Sequence, residues 1–266
     1  MLTHSKFLDL LVALGLFGGL LGMLELWYRF GLQARKRKSE HPDQLATIQG
    51  ATLGLLALLL GFSFALAAGR FNDRVQLIVA EANAIGTAWL RCDLLPETDR
   101  TELRQLLKDY TAQRIAFYDA QEESEQKSAD AAAEVLQAKM WARVSAEARS
   151  QILLAEILLP PFNELFDLQA RRTAAGRRHM PSMLLLLLLS CSLVSVASVG
   201  YGCGVVGKRN IVLTTSLTFL ISGALWATID MDHPQKGLIR VGQQPMLDLQ
   251  KSLERGSPPD NAKPVR

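Results

Sequence analysis

The sequence predicts an all-α membrane protein, with four transmembrane helices in two pairs and a helical extramembrane insert between the second and third. Two observations carry this. Apolar residues make up 49% of the 266, an ordinary share, yet they are segregated into four blocks, each about as long as the ~20-residue helix that crosses a bilayer. The stretch between the second and third blocks is instead polar, poor in glycine and proline, and free of the period-two alternation of a strand. The expected organisation is residues 1–69 as the first transmembrane pair, 70–180 as the insert, 181–230 as the second pair, and 231–266 as a C-terminal motif and flexible tail.

The first block, Phe7 to Tyr28, is rich in Leu and Gly and holds its carboxylates, Asp9 and Glu25, near its ends. Sixteen helical steps separate them. That is roughly 24 Å, so both reach the headgroups of a core about 30 Å thick. Lys6 ahead of the apolar run also suits a signal peptide, but no A-x-A site follows, and Trp27 and Tyr28 form an interfacial belt. The second block runs from Thr47 to Ala68, followed by Gly69 and Arg70. The third, Met183 to Val206, opens with six leucines, Leu184 to Leu189, and the fourth, Ile211 to Ile229, is stopped by Asp230. Four spans put both termini on one side. Arg29, Arg35, Lys36, Arg37 and Lys38 in the first connection, with Lys208 and Arg209 in the third, favour cytoplasmic short loops and an external insert, against Lys6, Arg70, Arg74, Arg171, Arg172, Arg177, Arg178, Lys236 and Arg240, which flank the same helices from the other side.

Three helices are predicted in the insert. Phe71 to Leu95 meets no strong breaker before Pro96, so it prolongs the second span as one rod. Asp99 and Glu102 stand at capping-box spacing and start a helix through Tyr118, with Leu103, Leu106, Leu107, Tyr110 and Phe117 on one face. Asp130 to Leu159 makes a third, ended by Pro160 and Pro161, and a shorter piece starts at Phe162.

Several classes are excluded. A net charge of +3 with no interleaving of basic and aromatic residues argues against nucleic-acid binding. Cys92, Cys191 and Cys203 are too scattered for a disulfide framework or a zinc site, and His4, His41, His179 and His233 show no ligand spacing, so neither metal nor cofactor is expected. The absence of G-x-S-x-G, a Walker loop or paired carboxylates argues against an enzyme. No ionisable residue lies mid-span, which disfavours a proton-relay transporter.

Gly50, Gly54, Ala57, Gly61, Ala65 and Ala68, spaced three or four apart, form a small-residue stripe on the second span that allows close backbone approach. Gly15 with Gly19 and Gly18 with Gly22 offer a matching surface on the first span, so packing of these two spans is expected, with a contact between subunits as the alternative. Gly202, Gly204 and Gly207 spell G-x-G-x-x-G, but they end an apolar run and meet Lys208 and Arg209, a turn between spans and not a dinucleotide loop. Ser192, Ser195 and Ser198, with Thr214, Thr218 and Ser222, are read as hydrogen-bonding glue, with a water-filled path as the sharper alternative.

Two segments carry a family likeness. Residues Gly61-Phe62-Ser63-Phe64-Ala65-Leu66-Ala67, continuing through Arg70-Phe71 to Glu81-Ala82-Asn83-Ala84-Ile85-Gly86-Thr87-Ala88-Trp89-Leu90-Arg91, and the run from Asp230-Met231-Asp232-His233-Pro234 through Gly237 to Gln244-Pro245-Met246, resemble the bestrophin-like family of bacterial membrane proteins. The resemblance implies a multi-pass protein of the bacterial inner membrane and a homo-oligomeric ring of subunits, five by analogy with bestrophin anion channels. It further implies a passive path for small inorganic ions lined by the second helix, Phe62 and Phe64 being candidates for an apolar constriction. It places termini and insert in the cytosol, against the charge count. A non-conducting scaffold or sensor whose insert binds a partner is the alternative. Within the motifs, Glu81 and Arg91, ten apart, are expected to share a helix face without touching, and Asn83 and Thr87 to bond along one side. Asp230, Asp232, Pro234 and Gly237 suit a sharp turn at the membrane surface. An ion-attracting vestibule or an intersubunit clasp is their functional alternative.

Overall fold

The computed structural model describes residues 4–36, 42–120, 122–150, 152–232 and 237–256. It contains helices α1 (His4–Lys36), α2 (Pro42–Arg91), α3 (Glu97–Asp119), α4 (Glu123–Ser150), α5 (Ile152–Arg177), α6 (Ser182–Val206), α7 (Ile211–Asp232) and α8 (Gln244–Glu254). No strand occurs among the described residues. Among the described residues, four stretches are long and apolar enough to cross a membrane: Asp9–Lys36, Gln44–Leu94, Ile152–Val206 and Ile211–Asp232. The chain divides into two compact units, residues 1–71 with 178–240, and residues 72–177 with 241–266.

The first unit is built on α1, α6 and α7 with the N-terminal part of α2. Its core joins Leu20, Leu24, Leu56, Leu188, Val196, Ile221 and Leu225, and Phe17 meets Phe219 edge to face at 5.8 Å. Lipid tails are as apolar as leucine, so packing quality and not water exclusion holds these helices together. The tightest contact lies between α1 and α6. A Cβ on Gly204 would collide with the Tyr28 carbonyl and stand 2.8 Å from the Gly31 Cα; one on Gly200 would strike the Leu24 carbonyl; one on Gly31 would strike the Tyr201 carbonyl. Glycine is therefore required at all three positions.

This corrects the expected packing of the first two spans. Gly15, Gly18, Gly19 and Gly22 on α1, and Gly50, Gly54 and Gly61 on α2, all have open space where a side chain would stand, so these faces do not close on each other. Of the G-x-G-x-x-G run, Gly202 and Gly204 are helical and buried, and Gly207 alone makes the turn, in the left-handed region at φ 73°. All six hydroxyls bond to carbonyls: Ser192, Ser198, Thr214, Thr218 and Ser222 to their own helices, and Ser195 across to Thr52 at 3.2 Å. Gln49 of α2 also reaches the Ser198 carbonyl, at 2.5 Å. These bonds are the glue that the sequence suggests.

The second unit packs α3, α4, α5, α8 and the C-terminal part of α2 around Ile85, Trp89, Leu103, Leu107, Tyr110, Met140, Val144, Leu158, Phe162 and Leu165. α2 runs unbroken from Pro42 to Arg91, as the lack of a breaker predicts, and Cys92–Leu94 form a 3-10 turn ahead of Pro96. The end expected at Pro160–Pro161 does not occur there: α5 continues through both prolines. The carbonyls left without a donor by these prolines belong to Glu156 and Ile157, both exposed, so neither loss falls in the core. Leu158, Phe162 and Leu165 meanwhile anchor both halves to the core. Within the stretch expected to hold the C-terminal motif and a flexible tail, residues 244–254 form α8, which buries Met246, Leu249 and Leu253 and packs against α3.

Candidate functional site

The face of α2 that no other part of the first unit covers, with its flanks, carries half of the candidate residues. Gly50, Gly54, Ala57, Gly61 and Ala65 are exposed and Ala68 is half-buried, whereas Leu56, Ser63 and Ala67 point inward. Phe62 and Phe64 are 63% and 45% exposed. At about 100° per residue they lie on opposite flanks of the small-residue stripe. The Phe62 flank is a continuous apolar ridge, because Leu55, Leu58 and Leu66 stand on it at spacings of three and four and are all exposed. Phe64 has no such companions on its side. The ridge residues Leu55 and Leu58 escaped the sequence reading, and Leu66 entered it only within the family likeness, because among so many leucines composition does not distinguish an outward face from an inward one.

In the second unit α2 separates its motif residues by face. Asn83, Thr87 and Arg91 are exposed, and Thr87 donates to the Asn83 carbonyl at 2.9 Å. Glu81 is fully buried. The shared face expected for Glu81 and Arg91 is therefore overturned: ten residues are about 1000° of rotation, some 80° short of three full turns, enough to place one in the core and the other in solvent.

Glu81 is the centre of a buried ionic cluster. Its carboxylate accepts from Arg114 Nε at 2.7 Å, from Arg172 Nη1 at 2.5 Å and from the Tyr110 hydroxyl at 3.3 Å. Arg114 reaches Asp130 at 3.5 Å, Arg172 donates to Gln243 Oε1 at 2.5 Å, and the single Tyr110 hydroxyl proton is shared between Glu81 and Gln169 Oε1, the latter at 3.2 Å. The Arg172 guanidinium stacks 3.7 Å above the Tyr118 ring. Burial alone would push the Glu81 carboxyl up, but the two guanidiniums outweigh it and hold the group below its ordinary range. Tyr110, in the same dry surroundings, is pushed upward by burial first and by the Glu81 charge second. The sequence named Glu81 but not Arg114, and it counted Arg172 among the cations flanking the spans, where the structure instead buries it against Glu81. The available signal was their phase: Arg114 continues the inward series Leu103, Leu107, Tyr110, and Arg172 continues Leu158, Phe162, Leu165.

At the other motif, the carboxylates accept from backbone amides of other segments. Asp230 accepts from the Leu238 amide at 2.9 Å and the Ile239 amide at 2.7 Å, and a Cβ on Gly237 would stand 2.7 Å from Asp230 Oδ1. Asp232 accepts from the Met180 amide at 2.7 Å and pairs with Arg70 at 3.5 Å. Both aspartates are buried. Pro234, the remaining motif residue, lies outside the described residues, as do His233 and His41. Among the described residues no group of His, Cys, Asp and Glu could hold a metal ion.

Comparison with known proteins agrees with this architecture. The family model of the Bestrophin-like domain matches residues 19–246. The structure is similar to the crystal structure of a point mutant of a bacterial bestrophin homolog from Klebsiella pneumoniae, with a TM-score of 0.65 and 12% sequence identity over 89% of this chain and 95% of that one. No curated protein matches the chain.

Proposed function

Because the chain belongs to the bestrophin-like family, we propose that it assembles as a homo-oligomeric ring in the bacterial inner membrane and conducts small ions passively along a path lined by α2. The single observation that supports this most is the uncovered face of α2. A 50-residue helix exposes a small-residue stripe beside the apolar ridge Leu55, Leu58, Phe62 and Leu66, and this exposed face is both the place for a neighbouring subunit and the wall of a narrow apolar neck. Phe62, with its ridge companions, is the constriction, and Phe64 faces away from the axis. Further along the helix, the exposed Asn83, Thr87 and Arg91 provide polar lining beyond the neck.

The test is ion flux through purified protein in liposomes. The wild type is expected to pass a slow flux, Phe62→Ala to raise it by widening and wetting the neck, and Phe64→Ala to leave it unchanged. Absence of flux from an intact oligomer, in both the wild type and Phe62→Ala, refutes conduction and leaves the non-conducting scaffold as the reading.

A further inference from the structure

At the end of the first unit where α1 finishes and α6 turns into α7, cations outnumber their partners. Glu25 takes Arg29 at 2.9 Å and Arg209 at 2.6 Å. Arg35, Lys36 and Lys208 have no ion pair among the described residues. Arg35 and Lys208 are brought to one place by Gly207, whose left-handed turn leads directly into Lys208 and lies so close to the Arg35 guanidinium that a Cβ there would collide with it. The positive N-terminus of the 22-residue α7 opens on the same turn, its Leu213 amide capped by Asn210 Oδ1 at 3.2 Å.

Three further features set this patch at the edge of a bilayer. Trp27 packs edge-on against Tyr201 at 6.2 Å, and the Arg209 guanidinium lies 5.2 Å over the Tyr28 ring, which is the aromatic belt of a headgroup layer. Next to Lys208, Val206, Ile211, Val212 and Leu213 are all exposed, Val212 to 73%. Cations above a strip of uncovered aliphatic side chains match a ligand with an anionic head and an apolar tail.

We propose that this corner binds an anionic phospholipid, with Arg35 and Lys208 on the headgroup phosphate and the Val206–Leu213 edge against an acyl chain. The headgroup would occupy the charge that Glu25 leaves unbalanced. A free phosphate fits less well, since it leaves the aliphatic edge uncovered.

The experiment titrates the detergent-solubilised full chain with phosphatidylglycerol, phosphatidylcholine and inorganic phosphate, reading lipid retention by native mass spectrometry and stabilisation by thermal unfolding. Phosphatidylglycerol is expected to be retained and to stabilise where phosphatidylcholine does not. Arg35→Gln with Lys208→Gln should weaken its affinity about 25-fold, the loss of two cations near a headgroup layer. Lys208→Gln alone, at an exposed position, carries the test if the double variant does not fold. Equal response to both lipids, an unweakened variant, or a response reproduced by inorganic phosphate alone would each overturn the assignment.

Discussion

Replacing Glu81 with Gln removes a charge without opening a cavity, and so isolates what the buried cluster contributes. The carboxylate lies within 2.7 Å of two guanidinium nitrogens, one from α3 and one from α5, and both arginines are at most 3% exposed. A unit pair about 4 Å between charge centres is worth about 4 kcal/mol at the effective dielectric that suits proteins. The two pairs together therefore gain several kcal/mol, most of it offset by the cost of drying the three groups. The substitution keeps that cost for the arginines and removes their counter-charge, leaving Asp130 as their nearest carboxylate, 3.5 Å from Arg114 and partly exposed. Breaking a buried pair in this way costs about 3–5 kcal/mol. At about 3–6 °C per kcal/mol for a unit of this size, Tm should fall by 10 °C or more, roughly, in thermal unfolding of the purified chain. A fall of less than about 3 °C would refute the claim that this cluster holds α2, α3 and α5 together.

The same carboxyl makes the cluster acid-labile. Its folded pKa lies below the ordinary 4.5, so its stabilisation is fully present above that value and is lost as pH falls through the depressed one. The difference in Tm between wild type and Glu81→Gln should therefore be constant from neutral pH down to the ordinary carboxylate range and shrink below it; a difference that grows on acidification would contradict the sign. Gly204→Leu should destabilise the chain by about 1–3 kcal/mol or more, because α1 leaves no room for the side chain, whereas Gly61→Leu should leave Tm unchanged and instead shift the oligomer distribution seen by light scattering in detergent. An identical distribution would remove the α2 stripe from any subunit contact. A reporter fused after Arg266 is expected to be active in the cytoplasm, as the resemblance to bestrophins implies, and an external reporter would instead restore the charge-count orientation.

How legible the site was differs from residue to residue. Gly61, Phe62, Glu81 and Asp230 all stood out in the sequence, yet their roles divided only in three dimensions. Asp230 is a backbone brace, its oxygens taken by the Leu238 and Ile239 amides. Gly61 and Phe62 remain on an open face, and Glu81 is internal. The double proline was read as an end because a missing donor is a local fact, but whether water can replace it depends on which side of the helix is wet.

The sequence by itself determined that lipid is the solvent for four helices, that α2 continues as a rod, and that the insert is helical. Each follows from the length, period and breakers of a contiguous segment, which act wherever the rest of the chain goes. Only the tertiary structure decided the partners: that Arg114 and Arg172, 33 and 91 residues away, converge on Glu81, and that Gly31, Gly200 and Gly204 carry the close helix contact while Gly50, Gly54 and Gly61 of the α2 stripe face open space. Small residues and buried charges are short of local signal because any nearby surface of the right shape or sign can satisfy them, and packing selects which one does.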